Sequence, residues 1–268
     1  MLKAHEGGPE IESVEEIFPK KCRHVTGKMP ESVAIVALGP SQSQWFYGNG
    51  TYERAVPPVD EVWSLNKGLR TIKADVGWIL DDLVGEARRS EEYANDIRNF
   101  NIPIITTTID HDVKELFPKV DLHEYPMQEI IWQAGVRYGV VSGQKVADLK
   151  VNGESIRTVG KDLAMHFQNS VPMMIAYALY IGVRRLYLYG VDYSYPGQEA
   201  NEKGRANCSY WVGFTRGQAM QVHINRDSTL MDTRDPLFIY GYARPPVIGI
   251  PTPEDVTRIL GELGLENG

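Results

Sequence analysis

The segment Ser170-Val171-Pro172-Met173-Met174-Ile175-Ala176-Tyr177-Ala178-Leu179-Tyr180-Ile181-Gly182-Val183-Arg184-Arg185-Leu186-Tyr187-Leu188-Tyr189-Gly190-Val191-Asp192-Tyr193 holds two patterns in succession. Val171, Met174, Ile175, Ala178 and Leu179 recur at helical spacing, with Ser170 placed as an N-cap, Pro172 in the first turn and Gly182 as a stop. Arg184 to Tyr189 then reads as a strand, closed by Gly190-Val191-Asp192-Tyr193. Helix, short turn and strand make half of a doubly wound sheet, whose ligands bind beyond the carboxyl ends of the strands.

Working outward, Val33-Ala34-Ile35-Val36-Ala37-Leu38 is a continuous apolar run stopped by Gly39-Pro40-Ser41, as a central parallel strand buried on both faces requires. Glu61 to Leu65, Asp75 to Leu80 and Ile102 to Thr108 resemble it, with a helical stretch from Glu86 to Phe100 between them. The alternation predicts an α/β, Rossmann-like fold: a mainly parallel sheet flanked by helices, with strand ends Leu38, Leu65, Leu80 and Tyr189 close together. Asp110 to Phe167 is less regular and reads as a helical insertion. Residues 1–30 read as an N-terminal arm and 31–268 as one nucleotide-binding catalytic domain. Within it, the Gly-, Asn- and Arg-rich stretch around 194–226 is too long for an ordinary connection and reads as a lid.

The chain has 268 residues, 28 basic against 35 acidic, for a formal net charge of -7, which excludes bulk-charge attachment to nucleic acid. Its two cysteines, Cys22 and Cys208, lie far apart and build no thiolate metal site. No run reaches the roughly 18 apolar residues of a membrane span, and the first ten residues lack the apolar core of a signal peptide, so a cytoplasmic protein is expected.

Gly39-Pro40-Ser41 is either a plain tight turn or a place where backbone N–H groups meet a phosphate. It lacks the full dinucleotide fingerprint and the Lys-Ser/Thr of a P-loop. Asn66 and Asp81 follow the second and third strands, where a base, a sugar hydroxyl or a metal would find them; helix capping is the alternative. Asp110-His111-Asp112 is a literal Asp-x-Asp that either holds a divalent cation or caps a helix over Val113 to Phe117; no metal site is assigned.

The block from Asn169 to Tyr193 resembles, without a gap, the nucleotide-binding helix and strand of bacterial lipooligosaccharide sialyltransferases. Gly39-Pro40-Ser41 is similar to their Gly-x-Gly-Pro-Ser turn, with Ala37 in place of the first glycine, and Asn66 falls on their Asn after the second strand. The same skeleton looks like that of archaeal 6-hydroxymethylpterin pyrophosphokinases. The resemblance implies a nucleotide site formed by Gly39, Pro40, Ser41, Asn66, Ser170 and Asp192, with Asp81 where the sialyltransferases place an Asn; the hydroxyls of Tyr193, Tyr195 and Tyr210 are separate candidate donors to a phosphate, with aromatic packing at a strand end as the alternative. It implies a CMP-, UDP- or GDP-linked sugar as donor, with a divalent metal left open, and a glycan, a protein or a modified nucleobase as acceptor.

Asn207-Cys208-Ser209-Tyr210-Trp211-Val212-Gly213-Phe214 is similar to the family's lid motif, whose last residue is a catalytic His. Phe214 stands there instead. His223, His166 and Asp81 are then the candidate bases for the acceptor hydroxyl, His223 ahead of His166 because it follows the expected lid. Two other readings compete with a glycosyltransferase. One is an ATP- and magnesium-dependent pyrophosphokinase using Asp81, Asp82 or Asp110; the other is a nucleotide-binding module without catalysis.

Overall fold

The computed structural model describes residues 24–47, 58–137, 150–151, 154–155, 166–193 and 204–231. In chain order these form β1 (Ser32–Val36), α1 (Ser43–Tyr47), β2 (Glu61–Leu65), β3 (Val76–Ile79), α2 (Leu83–Arg89), α3 (Glu91–Asn99), β4 (Ile104–Thr106), α4 (His111–Leu116), β5 (Leu122–Glu124), α5 (Met127–Arg137), the short pair β6 (Lys150–Val151) and β7 (Glu154–Ser155), α6 (Ser170–Ile181), β8 (Arg185–Tyr189), α7 (Arg205–Gly217) and β9 (Gln221–Ile224). β1 is buried at all its positions, as an apolar run without alternation requires. The main sheet runs β5-β4-β3-β2-β1-β8-β9, and all its neighbours are parallel. Among the described residues β6 and β7 pair with each other, antiparallel.

From β1 the chain steps outward through β2 to β5, then returns to the other flank of β1 as β8 and β9. The strand order therefore reverses between β1 and β8, the place where α/β sheets open a crevice. Residues of β1 point alternately to two apolar layers. Val33 and Ile35 join Ile130 of α5, Met174 of α6 and Trp211 of α7. Ala34 and Val36 join Leu83 of α2, Ile97 of α3 and Val113 of α4 on the opposite face. The Rossmann-like α/β arrangement with helices on both faces is thus present.

Local chemistry moves several boundaries. The helix expected over Glu86 to Phe100 is two helices, because Ser90 is extended (φ -150°) and its hydroxyl caps α3 by accepting the Tyr93 N–H at 3.2 Å. Ser170 is the first helical residue of α6 and not its cap; the cap position belongs to Asn169, whose side chain makes no capping bond. Gly182 does stop α6, in the left-handed conformation at φ 87°. The irregular stretch after Asp110 contributes a fifth parallel strand, β5, as well as helices. Of the stretch expected as a lid, 194–203 lies outside the described residues, while α7 and β9 are a crossover helix and edge strand of the sheet itself. The N-terminal arm up to residue 23 and the chain beyond 231 also lie outside the described residues.

At the amino-terminal edge of the strands a polar clamp is buried. His24 Nε2 lies 2.7 Å from Glu61 Oε2 and His24 Nδ1 lies 3.1 Å from the Tyr177 hydroxyl. Trp63 Nε1 and the Thr26 hydroxyl also donate to the Glu61 carboxylate, at 2.9 and 2.7 Å. Burial alone would push the Glu61 carboxyl up, but these donors outweigh it and hold it below its ordinary value.

Candidate functional site

The carboxyl ends of β1 and β8 are joined before they part. Ala37 N–H donates to Tyr189 O and Gly39 N–H to Gly190 O, both at 2.8 Å. Beyond that point the Asp192 carboxylate takes over: Oδ2 accepts the Ser41 N–H at 2.7 Å and Oδ1 accepts the Thr229 N–H at 2.9 Å. Close approach explains the glycine, since a Cβ on Gly39 would meet Asp192 Cβ and the Gly190 carbonyl oxygen at 2.6 Å. Gly190, at φ 66°, is equally committed.

The loop after β9 completes the bracket. Asn225 Nδ2 donates to Ser41 O at 2.8 Å, the Ser228 hydroxyl donates to Val191 O, and Thr229 Oγ1 accepts the Tyr193 N–H at 2.8 Å. Gln44 and Asp227 also hydrogen-bond. These residues carry no sequence signal of their own, because lone Asn, Ser and Thr residues after a short strand are ordinary loop composition. They change the reading of Asp192, which is 8% exposed and uses both oxygens to hold backbone N–H groups. Asp192 is a positioning residue for the Gly39-Pro40-Ser41 turn.

Ser41 is 4% exposed, and among the described residues its hydroxyl has no partner. Asn66, directly after β2, holds φ 48°, a left-handed conformation that Asn tolerates better than most side chains. Its Nδ2 donates to Asp81 Oδ2 at 2.9 Å, so two residues singled out in the sequence meet at the ends of β2 and β3. The Asn66 Oδ1 atom is buried without a partner among the described residues. Half-exposed Leu38 forms part of the same edge.

α6 and α7 each precede a parallel strand, so both begin at this carboxyl edge. Asn169, freed from capping, donates from Nδ2 to the Tyr193 hydroxyl at 3.1 Å. Gly204 packs so closely against Asn169 and Tyr193 that a Cβ there would lie 2.8 Å from Tyr193 Cε1. Burial, and then the neighbouring Cys208, raise the Tyr193 hydroxyl above its ordinary value; complete burial pushes the Cys208 thiol up to about 12. Tyr193 therefore serves as a neutral, packed hydroxyl. The half-buried Ser170 opens α6 beside it.

The three candidate bases are separated. Asp81 is exposed at the edge with Asn66. The His166 ring stacks on Tyr210 at 3.8 Å with planes 8° apart, and its carbonyl accepts Trp211 Nε1 at 3.1 Å. His223 lies within β9, exposed, opposite Tyr187 in register and stacked on it at 4.7 Å. An edge strand cannot swing as a lid does, so the reason for ranking His223 first is removed. Phe214 packs on Tyr210 and Trp211, nine residues along α7 from its start, about 13 Å at the helical rise.

Asp110 caps α4 by accepting the Val113 N–H at 2.9 Å, and Asp82 caps α2 by accepting the Val84 N–H at 3.1 Å. Among the described residues no three His, Cys, Asp or Glu side chains converge as a metal site. No described helix is long and apolar enough to cross a membrane. A separate open groove of 680 Å³ lies at the opposite, amino-terminal edge, beside Glu31, Arg184, Arg185 and Ala219, and contains none of the residues above.

No family model matches the chain, and no curated protein matches it by sequence. Among solved structures the chain is similar to the Campylobacter jejuni sialyltransferase CstII in complex with a substrate analogue, CMP-3FNeuAc, at 14% identity and a TM-score of 0.45, over 89% of this chain and 100% of that one. The CstII complex with cytidine-5'-monophosphate is similar at 14% identity and a TM-score of 0.45, over 88% and 98% of the two chains. An α-2,3-sialyltransferase from Campylobacter jejuni in apo form follows at 14% identity and a TM-score of 0.43, over 88% and 95%.

Proposed function

We propose that this chain is a glycosyltransferase that moves a sugar from a nucleotide-linked donor to an acceptor hydroxyl. The observation that carries the reading is the turn Gly39-Pro40-Ser41 held against Asp192 where β1 and β8 part, with Asn66 and the uncapped start of α6 along the same edge. Uncapped N–H groups and the positive end of a helix suit the donor's phosphate. Ser41, Asn66, Ser170 and Tyr210 are the side chains assigned to the nucleotide, with Gly39 and Pro40 shaping the turn.

Transfer requires the acceptor oxygen to bond to the anomeric carbon as the bond from that carbon to the phosphate oxygen breaks. The acceptor proton goes to a base, and the electron pair leaves on the nucleotide phosphate. Asp81 is the base assigned, because its carboxylate is exposed at the edge and oriented by Asn66. His166 remains the second choice, near the start of α6, and His223 the third. The pyrophosphokinase alternative gains no support from Asp82 and Asp110, whose carboxylates are engaged as helix caps.

Thermal unfolding with CMP, UDP, GDP or ATP, each with and without magnesium, tests the reading. One of CMP, UDP or GDP is expected to stabilise the fold without magnesium; saturation at a hundredfold over Kd is worth about 2.7 kcal/mol. Stabilisation by ATP with magnesium alone would overturn it in favour of pyrophosphoryl transfer. Binding without donor hydrolysis or transfer would leave a nucleotide-binding module.

A further inference from the structure

The Asn66–Asp81 pair carries information about the group it faces. Asn66 has two amide hydrogens and one carbonyl oxygen; one hydrogen is spent on Asp81 Oδ2 at 2.9 Å, while Oδ1 is buried without a partner among the described residues. Capacity left on the pair is therefore mostly accepting: the remaining lone pairs of a carboxylate and an orphaned amide carbonyl, against a single amide hydrogen. A buried acceptor left unmatched is costly, which makes a hydrogen-donating ligand the natural occupant.

Lys67, directly after Asn66, is exposed, while Arg70 is paired with Asp96 and Glu92. Asp82 adds a second exposed carboxylate to the end of β3. Burial, followed by the charges of Glu86 and Asp81, raises the Tyr93 hydroxyl.

Resting on the nucleotide-donor reading, we infer that the Asn66–Asp81 pair selects an uncharged, hydroxyl-rich group and rejects one that carries a carboxylate. Such a group is either the ribose of the nucleotide or the neutral sugar attached to it. A sugar acid would bring its own carboxylate against Asp81 and leave Asn66 Oδ1 facing another acceptor. Asp81→Asn keeps an oxygen to accept from Asn66 but replaces the charge with an amide donor, so it weakens the preference without removing the pair.

Calorimetry on the full chain and on Asp81→Asn separates the possibilities. The probes are CMP, UMP and GMP with their 2′-deoxy counterparts, and UDP-glucose, GDP-mannose, UDP-glucuronate and CMP-N-acetylneuraminate. Wild type is expected to prefer ribo- over deoxynucleotide, or neutral over carboxylated sugar nucleotide, by tenfold or more. In Asp81→Asn that preference is expected to fall below threefold, with unfolding midpoints unchanged because Asp81 is exposed. Loss of the ribose preference identifies the ribose as occupant; loss of the sugar preference identifies the transferred sugar. Nucleotide binding with both preferences absent in wild type, or with the preference seen in wild type unchanged in Asp81→Asn, overturns this inference and leaves the nucleotide reading intact. Binding of no probe at all overturns both.

Discussion

The Asp192 carboxylate accepts the backbone N–H of Ser41 at 2.7 Å across 151 residues of chain, and its second oxygen accepts from Thr229. One side chain therefore fixes the relative position of three loops at the strand ends. Asp192→Asn is expected to lower stability by about 2 to 3 kcal/mol, because an amide group would face one N–H with its own N–H. Gly39→Ala is expected to do similar damage by driving a methyl group into Asp192 and Gly190. Urea unfolding of each variant checks this; wild-type midpoints in both would remove Asp192 from its bracketing role.

Asn66 combines strain with chemistry, and the two are separable. Asn66→Gly relieves the left-handed backbone and is expected to leave stability unchanged or slightly higher, while weakening nucleotide binding by about 1 to 3 kcal/mol. Asn66→Ala is expected to lose binding to the same extent and also stability. Ser170→Ala, at the start of α6, is expected to weaken the nucleotide alone. Calorimetry and thermal unfolding on the three variants read the two effects independently, and undiminished affinity in all of them would count against this crevice.

The clamp around Glu61 gives the fold an acid-sensitive joint. Glu61 titrates below its ordinary value in the folded chain, so its contribution to stability is fully present above the unfolded carboxyl value of about 4.3 and is lost as pH falls through the lower folded value. Glu61→Gln is expected to flatten the stability profile below about pH 5, where ordinary carboxyls begin to protonate. His24→Ala, which removes one of the three side-chain donors to a buried carboxylate, is expected to cost about 1.5 to 3 kcal/mol at pH 7. Denaturant midpoints from pH 3 to 7 decide the matter, and parallel profiles for wild type and Glu61→Gln would contradict it.

Activity should distinguish a carboxylate base from an imidazole. Ordinary carboxyls titrate near 4 and imidazoles near 6.5, so an Asp base keeps transfer running to about pH 5, whereas a His base fails below about 6.5. Asp81→Asn is expected to lower turnover by a hundredfold or more, and His223→Ala to retain it, since that ring stacks on Tyr187 within the edge strand. A profile falling near 6.5, abolished in His166→Ala, would transfer the role to His166.

Elements whose own composition dictates their state are legible in the sequence. β1 and β2 are apolar enough to be read as buried strands, and α6 carries both its spacing and its Gly182 stop. β5 escaped notice because three residues, Leu122–Glu124, hold too little pattern to separate from a loop. α7 was hidden by its polar face of Arg205, Ser209 and Arg216, which made a crossover helix look like part of a lid. At the site, the proximity of Gly39 to Asp192 and of Asn66 to Asp81 follows from strand order. The employment of Asp192 by Ser41 and Thr229 does not, since backbone donors leave no trace in residue type.

β1 sits in the interior of the sheet, yet its partner on one side, β8, begins about 150 residues later in the chain. During synthesis the Val-Ala-Ile-Val edge of β1 can pair with β2 early but must wait for β8 to emerge, leaving one apolar flank open for about 8 to 30 s at ordinary elongation rates. Such non-local closure slows folding, because the loop entropy is lost before the strand contacts are gained. The carboxyl edge where β1 and β8 part is therefore completed only late in sheet assembly, when β8 and then β9 join. A nascent chain cut before β8 would display an unpaired β1 edge, a template for aggregation that holdase chaperones would be expected to cover.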